Sequence, residues 1–178
     1  MPIPFLLMGC IMVLVSASND VVSPEMYYAD TDHGRPFAKD PDVVRFKGRC
    51  LLYYSMRPDP RLGIGIAKSV DLTHWHKIGE IEPAGDCEQK GIGAPAALVH
   101  AGRVHLFYQT YGNGPKDALC HAFSEDGLHF ERNPTNPIFA PSGSWTVGRA
   151  IDAEVFLDGE TAYLYGATRD PEMKRQML

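Results

Sequence analysis

Asp40-Pro41-Asp42-Val43-Val44-Arg45-Phe46-Lys47-Gly48-Arg49-Cys50-Leu51-Leu52-Tyr53-Tyr54-Ser55 decides the fold. An apolar run with β-branched residues, a Lys-Gly turn and a second apolar run ending in aromatics spell strand, tight turn, strand. The plan returns from Ala96 to Tyr108 around Gly102, and from Ala153 to Tyr165 around Gly159. Tyr54, Tyr108 and Tyr165 each stand six residues after their turn glycine, and the three glycines are 54 and 57 residues apart. Such a step marks a repeat architecture.

A second half-repeat keeps the same step. Ser69-Val70-Asp71-Leu72-Thr73-His74-Trp75 matches Ser124-Glu125-Asp126-Gly127-Leu128-His129-Phe130, a polar turn closed by an aromatic. Each unit is therefore two hairpins, and four-stranded units at this period are β-propeller blades. The sequence predicts an all-β protein in which the strands starting near Asp40, Gly93 and Asp152 lie innermost. Residues 18–178 hold about three blades, whereas propellers close with typically 4 to 8. The expectation is a partial propeller domain, as an N-terminal piece of a longer protein or a truncated reading frame. A small β-protein that dimerises to cover its edges is the alternative.

Composition narrows the function. Seventeen Lys+Arg against 22 Asp+Glu give a net charge of -5, and no basic run offers a footprint for a phosphate backbone, so nucleic acid is not an expected partner. Ile3 to Val15 carries no charge and Val15-Ser16-Ala17 follows with small residues, so residues 1–17 read as a secretory signal and the protein as secreted or periplasmic. That run is too short for a membrane span, which needs about 20 residues. A buried N-terminal helix is the other reading, and Leu7-Met8-Gly9-Cys10 has a faint likeness to a lipoprotein box. Cys50, Cys87 and Cys120 are odd in number and lack CxxC spacing, which implies neither a zinc site nor a disulfide framework. Cys50 and Cys120 sit in apolar strand patterns as core residues, and a single bridge between two of the three stays open.

Chemistry concentrates at two acids. Asp40 opens the first inner strand and Asp152 the third, and inner strands line a propeller's central channel. Carboxyl groups facing one another across a cleft are what glycosidic hydrolysis requires. Read singly, either Asp is also ordinary punctuation at a turn or strand start. Glu154 shares a strand face with Asp152 and is a candidate for substrate contact. Arg149 suits a sugar hydroxyl or acid group, or a structural ion pair. Trp145 suits stacking on a sugar face or packing between blades. His33 is placed at the channel mouth. His74 and His76, two apart on one strand face, lack a third ligand nearby, so no metal is assigned.

Lys39-Asp40-Pro41-Asp42-Val43-Val44-Arg45-Phe46, Gly65 to Trp75, Gly93-Ala94-Pro95 and Arg149-Ala150-Ile151-Asp152-Ala153-Glu154 together resemble the five-bladed propeller glycosidases of glycoside hydrolase families 43 and 117. The likeness runs from about Phe37 to the last residue. It implies a glycosidase for plant or algal oligosaccharides that works by inversion. Asp40 would be the general base, and Asp152 the residue that tunes and orients the acid. No cofactor is implied beyond a channel calcium that no motif here supports. The family's general acid lies in a later blade, so the resemblance also implies a chain that hydrolyses glycosides poorly as written. A non-catalytic carbohydrate-binding propeller or an inactive fragment is the rival reading.

Overall fold

The computed structural model describes residues 28–58, 60–172 and 175–178, so the expected secretory segment lies outside the described residues. Three antiparallel sheets follow one another along the chain. The first holds β1 (Lys39–Phe46), β2 (Arg49–Met56), β3 (Gly63–Ser69) and β4 (His76–Ile81) in that order. The second holds β5 (Ile92–His100), β6 (Arg103–Thr110), β7 (Leu119–Ser124) and β8 (Glu131–Arg132). The third holds β9 (Ile151–Asp158), β10 (Thr161–Arg169) and β11 (Gln176–Met177). Strands β1, β5 and β9 are innermost and pack side by side, as the repeat predicts. No helix of the described residues is long and apolar enough to cross a membrane.

Burial on both faces explains why the middle strands are so apolar. Leu51 and Tyr53 of β2 face the second sheet and pack with Ile92, Val104, Leu106 and Tyr108. Alternate residues Leu52, Tyr54 and Met56 face the other way, against Tyr28, Ala38 and Trp75. The second and third sheets meet through Phe107, Leu119, Ala150, Ala153 and Leu164. Cys50 and Cys120 are buried, as their strand pattern implies, and Cys50, Cys87 and Cys120 are all free thiols. Cys87 Sγ lies 3.8 Å from Cys120 Sγ.

The third hairpin corrects the repeat. In the first two, Phe46 pairs with Arg49 and His100 with Arg103, and both turn residues have positive φ, at Lys47-Gly48 and Ala101-Gly102. In the third, Asp158 pairs with Thr161 and only Gly159, the first turn residue, has positive φ. The glycine has moved from the second turn position to the first, as a II′ rather than a I′ turn demands. Tyr165 is thus the counterpart of Tyr53, and Gly166 takes the place of Tyr54 and Tyr108. A one-residue slip turns a side chain to the opposite face. Tyr163 and Tyr165, with Phe156, therefore lie on the face turned away from the second sheet and are exposed, whereas Leu51 and Tyr53 at the matching places are fully buried.

Both Ser-x-Asp turns are built identically. Ser69 Oγ accepts from the Asp71 and Leu72 amides, Asp71 Oδ1 accepts from the Thr73 and His74 amides, and His74 Nδ1 pairs with Oδ2. Ser124, Asp126 and His129 repeat the pattern. His74 therefore belongs to the turn and not to a strand face shared with His76. The residue after the Asp is left-handed in both turns, Leu72 at φ 67° and Gly127 at φ 78°. Leu72 is exposed. At Gly127 a Cβ would stand 2.4 Å from Leu51 Cδ1.

Two buried tyrosines end in carboxylates. Tyr54 Oη donates to Asp30 at 2.9 Å, and Tyr108 Oη donates to the fully buried Glu88 at 2.7 Å. Burial pushes the Glu88 pKa up. Tyr108, the Ala84 amide, the Arg132 guanidinium and the Gly85 amide outweigh it, and the net shift is below the usual carboxylate value. A depressed folded-state pKa contributes stability above the unfolded value of 4.5, lost as pH falls through the folded one. Tyr108→Phe is expected to cost about 1–3 kcal/mol at neutral pH, by urea denaturation, with the difference from wild type shrinking in acid. Gly127→Ala is expected to destabilise by roughly 2–3 kcal/mol through its clash and its φ, while Leu72→Ala stays within about 0.5 kcal/mol.

Candidate active site

Each inner strand starts with the same kink. Asp40, Ala94 and Asp152 have φ of 52°, 45° and 51°. The pairing slips by a residue beside each of them, between Lys39 and Asp42, between Gly93 and Ala96, and opposite Asp152 between Tyr165 and Ala167. A left-handed backbone costs a residue with a Cβ roughly 1–2 kcal/mol, and Asp bears it better than most. Bulges of this kind re-aim side chains at barrel rims and active sites. Here the result is a single cavity of about 290 Å³ at the strand heads, lined by Asp40, Asp42, Asp152 and Glu154 with Ala94 and Pro95. Two acids separated by 112 residues of sequence share one site.

The four carboxylates are not equivalent. Asp42 is occupied by backbone: its Oδ2 accepts from the Ala97 amide across to the second sheet and its Oδ1 from the Val43 amide. Asp40 receives two groups on Oδ2, the Ser55 hydroxyl at 2.8 Å and Lys39 Nζ at 3.0 Å. Its Oδ1 has no hydrogen-bond partner among the described residues. Ser55 is fully buried and also accepts from the Ala94 amide at 2.8 Å, so one hydroxyl ties Asp40 to the kink of the next inner strand. Gln109 Oε1 holds the Asp152 amide at 2.7 Å, which fixes the backbone and leaves the carboxylate free of described partners. Ser55 and Gln109 stand at the same place in their hairpins, seven residues after Gly48 and Gly102. Sequence reading passed over both, along with Lys39 and Asp42. The available signal was a polar residue one place before the end of each second strand, after a run of apolar and aromatic residues.

Other candidates lie apart from the carboxylates. His33 pairs with Glu80 of the outermost strand β4 at 2.8 Å, because the Asp30–Phe37 bridge folds this segment over that edge and not toward the channel. Arg149 is half-buried just ahead of β9, and Trp145 is exposed in the loop leading to it; neither lines the cavity. Among the described residues no group of three His, Cys, Asp or Glu is placed to hold a metal ion.

No protein-family model matches the chain. It is 26% identical over 153 residues to the sucrose-6-phosphate hydrolase of Escherichia coli, a match covering 78% of this chain and 31% of that protein. The structure of the sucrose-6-phosphate hydrolase from Lactobacillus gasseri superposes with a TM-score of 0.68 at 21% identity, over 78% of this chain and 30% of the other. A family 117 glycoside hydrolase of the marine bacterium Zobellia galactanivorans gives 0.63 at 18% identity, over 74% and 48%. The fold is that of the propeller glycosidases. The chain spans about a third of the curated relative's length and half or less of these propeller glycosidase structures. Within this propeller glycosidase fold, Ser55→Ala leaves the Ala94 amide unpaired and Asp40 one donor short. It is expected to cost about 1–3 kcal/mol in urea denaturation, with Ser55→Thr recovering part of it.

Proposed function

We propose that the protein is a glycoside hydrolase that cleaves oligosaccharides derived from plant or algal polysaccharide with inversion, using Asp40 as general base. The observation that carries this reading is the shared cavity of Asp40 and Asp152, both held in left-handed backbone at the heads of inner strands. Strain concentrated at one place, where side chains converge, is characteristic of functional sites. The likeness to hydrolases of sucrose 6-phosphate and of family 117 supports hydrolysis of a glycosidic bond in general.

In this mechanism Asp40 Oδ1 takes a proton from water as that water attacks the anomeric carbon. Ser55 and Lys39, both on Oδ2, hold the carboxylate in a fixed plane. In this reading Asp152, which lines the same cavity, orients and tunes the acid that protonates the leaving oxygen, and Glu154, also in its lining, contacts substrate hydroxyls. The same reading gives residues 1–17 the role of an export signal, which N-terminal sequencing of the mature protein checks.

A glycosyl fluoride or dinitrophenyl glycoside isolates the proposed steps, because its leaving group departs without protonation. With such substrates the chain is expected to show turnover that Asp40→Asn lowers by about 10²–10⁴-fold. Asp152→Asn is expected to matter more for an unactivated glycoside than for the fluoride. Proton NMR of the first anomer released reads the stereochemistry. Retention would discard the inverting mechanism, and turnover unchanged in Asp40→Asn would discard the base. Sugar binding with no turnover of any activated glycoside would favour the carbohydrate-binding reading.

A further inference from the structure

Beside the carboxylate cavity lies a second one of about 410 Å³, walled by Lys39, Arg57, Lys90, Phe37, Tyr111 and Leu62 among others. It sits at the same end of the sheets. Arg57 follows the last residue of β2, Lys90 comes two residues before β5, and Tyr111 follows β6. Lys39 joins the two cavities, with Nζ 3.0 Å from Asp40 Oδ2 and 5.9 Å from the centre of the Tyr111 ring.

Among the described residues no acidic side chain lines this second cavity, and Arg57 and Lys90 have no carboxylate within ion-pair distance. The chain as a whole carries 22 acids against 17 Lys and Arg. Arg57 and Lys90 thus face one cavity without counter-charge, while Lys39, at its border, is paired with Asp40 of a cavity ringed by four carboxylates. Charge is thus segregated between neighbouring cavities, negative at the candidate catalytic residues and positive one step away. An anion would be repelled from the first and drawn to the second. Arg57 offers a planar fork to an oxyanion, Lys90 a point charge, and Phe37 and Tyr111 apolar ring faces to a pyranose.

We propose that the second cavity is a subsite for an acidic sugar. It receives the carboxylate, sulfate or phosphate carried on the unit next to the one placed at Asp40 and Asp152. The sugar rests on the glycosidase reading; the anion rests on Arg57 and Lys90, the two cations of this cavity without a carboxylate partner.

Calorimetric titration of the whole chain tests this. The probes are digalacturonate, galactose 6-sulfate and glucose 6-phosphate, each beside its neutral counterpart (the methyl ester, galactose, glucose), with inorganic sulfate and phosphate as free anions. At least one acidic sugar is expected to bind about ten-fold more tightly than its counterpart, and which one does so identifies the acid group. An Arg57→Gln, Lys90→Gln double variant, at two exposed positions, should lose that preference and keep the neutral affinity. Added salt should narrow the preference. Equal affinity for charged and neutral sugars, a double variant that behaves like wild type, or no binding of any probe would overturn the subsite. Inorganic anions binding as tightly as the acidic sugars would overturn the sugar. If the preference holds and depends on Arg57 and Lys90 while Asp40→Asn leaves activated-glycoside turnover unchanged, the subsite stands and the glycosidase reading falls.

Discussion

A four-stranded sheet has two faces and can cover neither by itself. Everything else in this protein answers to that constraint. Leu51 and Tyr53 are buried only because the second sheet lies over them, and Tyr54 and Met56 only because the segment from Tyr28 to Ala38 lies over the other side. The apolar character of β2 and β6 is the sequence's record of this double burial. The third sheet, with Phe156, Tyr163 and Tyr165 exposed, shows what one such face looks like uncovered. The polar groups at the seams are matched to the stacking, as in the Tyr108–Glu88 pair, where a buried charge is tolerated because its oxygens are occupied.

Stacking sheets around an axis brings their inner strands together but does not by itself make a site. The kinks at Asp40, Ala94 and Asp152 do that. A regular strand would send alternate side chains to the two sheet faces, toward the neighbouring blades. The bulge and the left-handed residue divert one carboxylate from each of two strands into common space. Ala94, which has the kink without the acid, separates the two contributions: the conformation belongs to the repeat, while the carboxylates stand on two of its three copies.

Much of this was legible in the residues. Period, strand order and the innermost position of β1, β5 and β9 follow from the spacing of turn glycines and from alternation. Asp40 and Asp152 follow from occupying equivalent places. The register of the third hairpin was not legible, because a glycine serves either position of a two-residue turn and only the backbone angles say which. Ser55 and Gln109 look like ordinary strand ends until the neighbouring sheet is in place. His33 was misplaced because its neighbourhood depends on how a segment of irregular structure folds back, which no periodicity encodes. Lys39, Arg57 and Lys90 are too far apart in sequence to read as one basic patch.

The Ser55 hydroxyl spans two sheets, donating to Asp40 of the first and accepting from Ala94 of the second. The orientation of the candidate base is therefore a readout of how well those two sheets are docked. A thermal excursion that separates them by a fraction of an ångström would break this bond while both sheets remain fully hydrogen-bonded within themselves. The geometry of the candidate site and the secondary structure would then have different melting curves, with the site failing first. In a repeat protein whose blades are joined by side chains, the seam that holds the candidate site is where the loss of quaternary-like order inside a single chain is felt earliest.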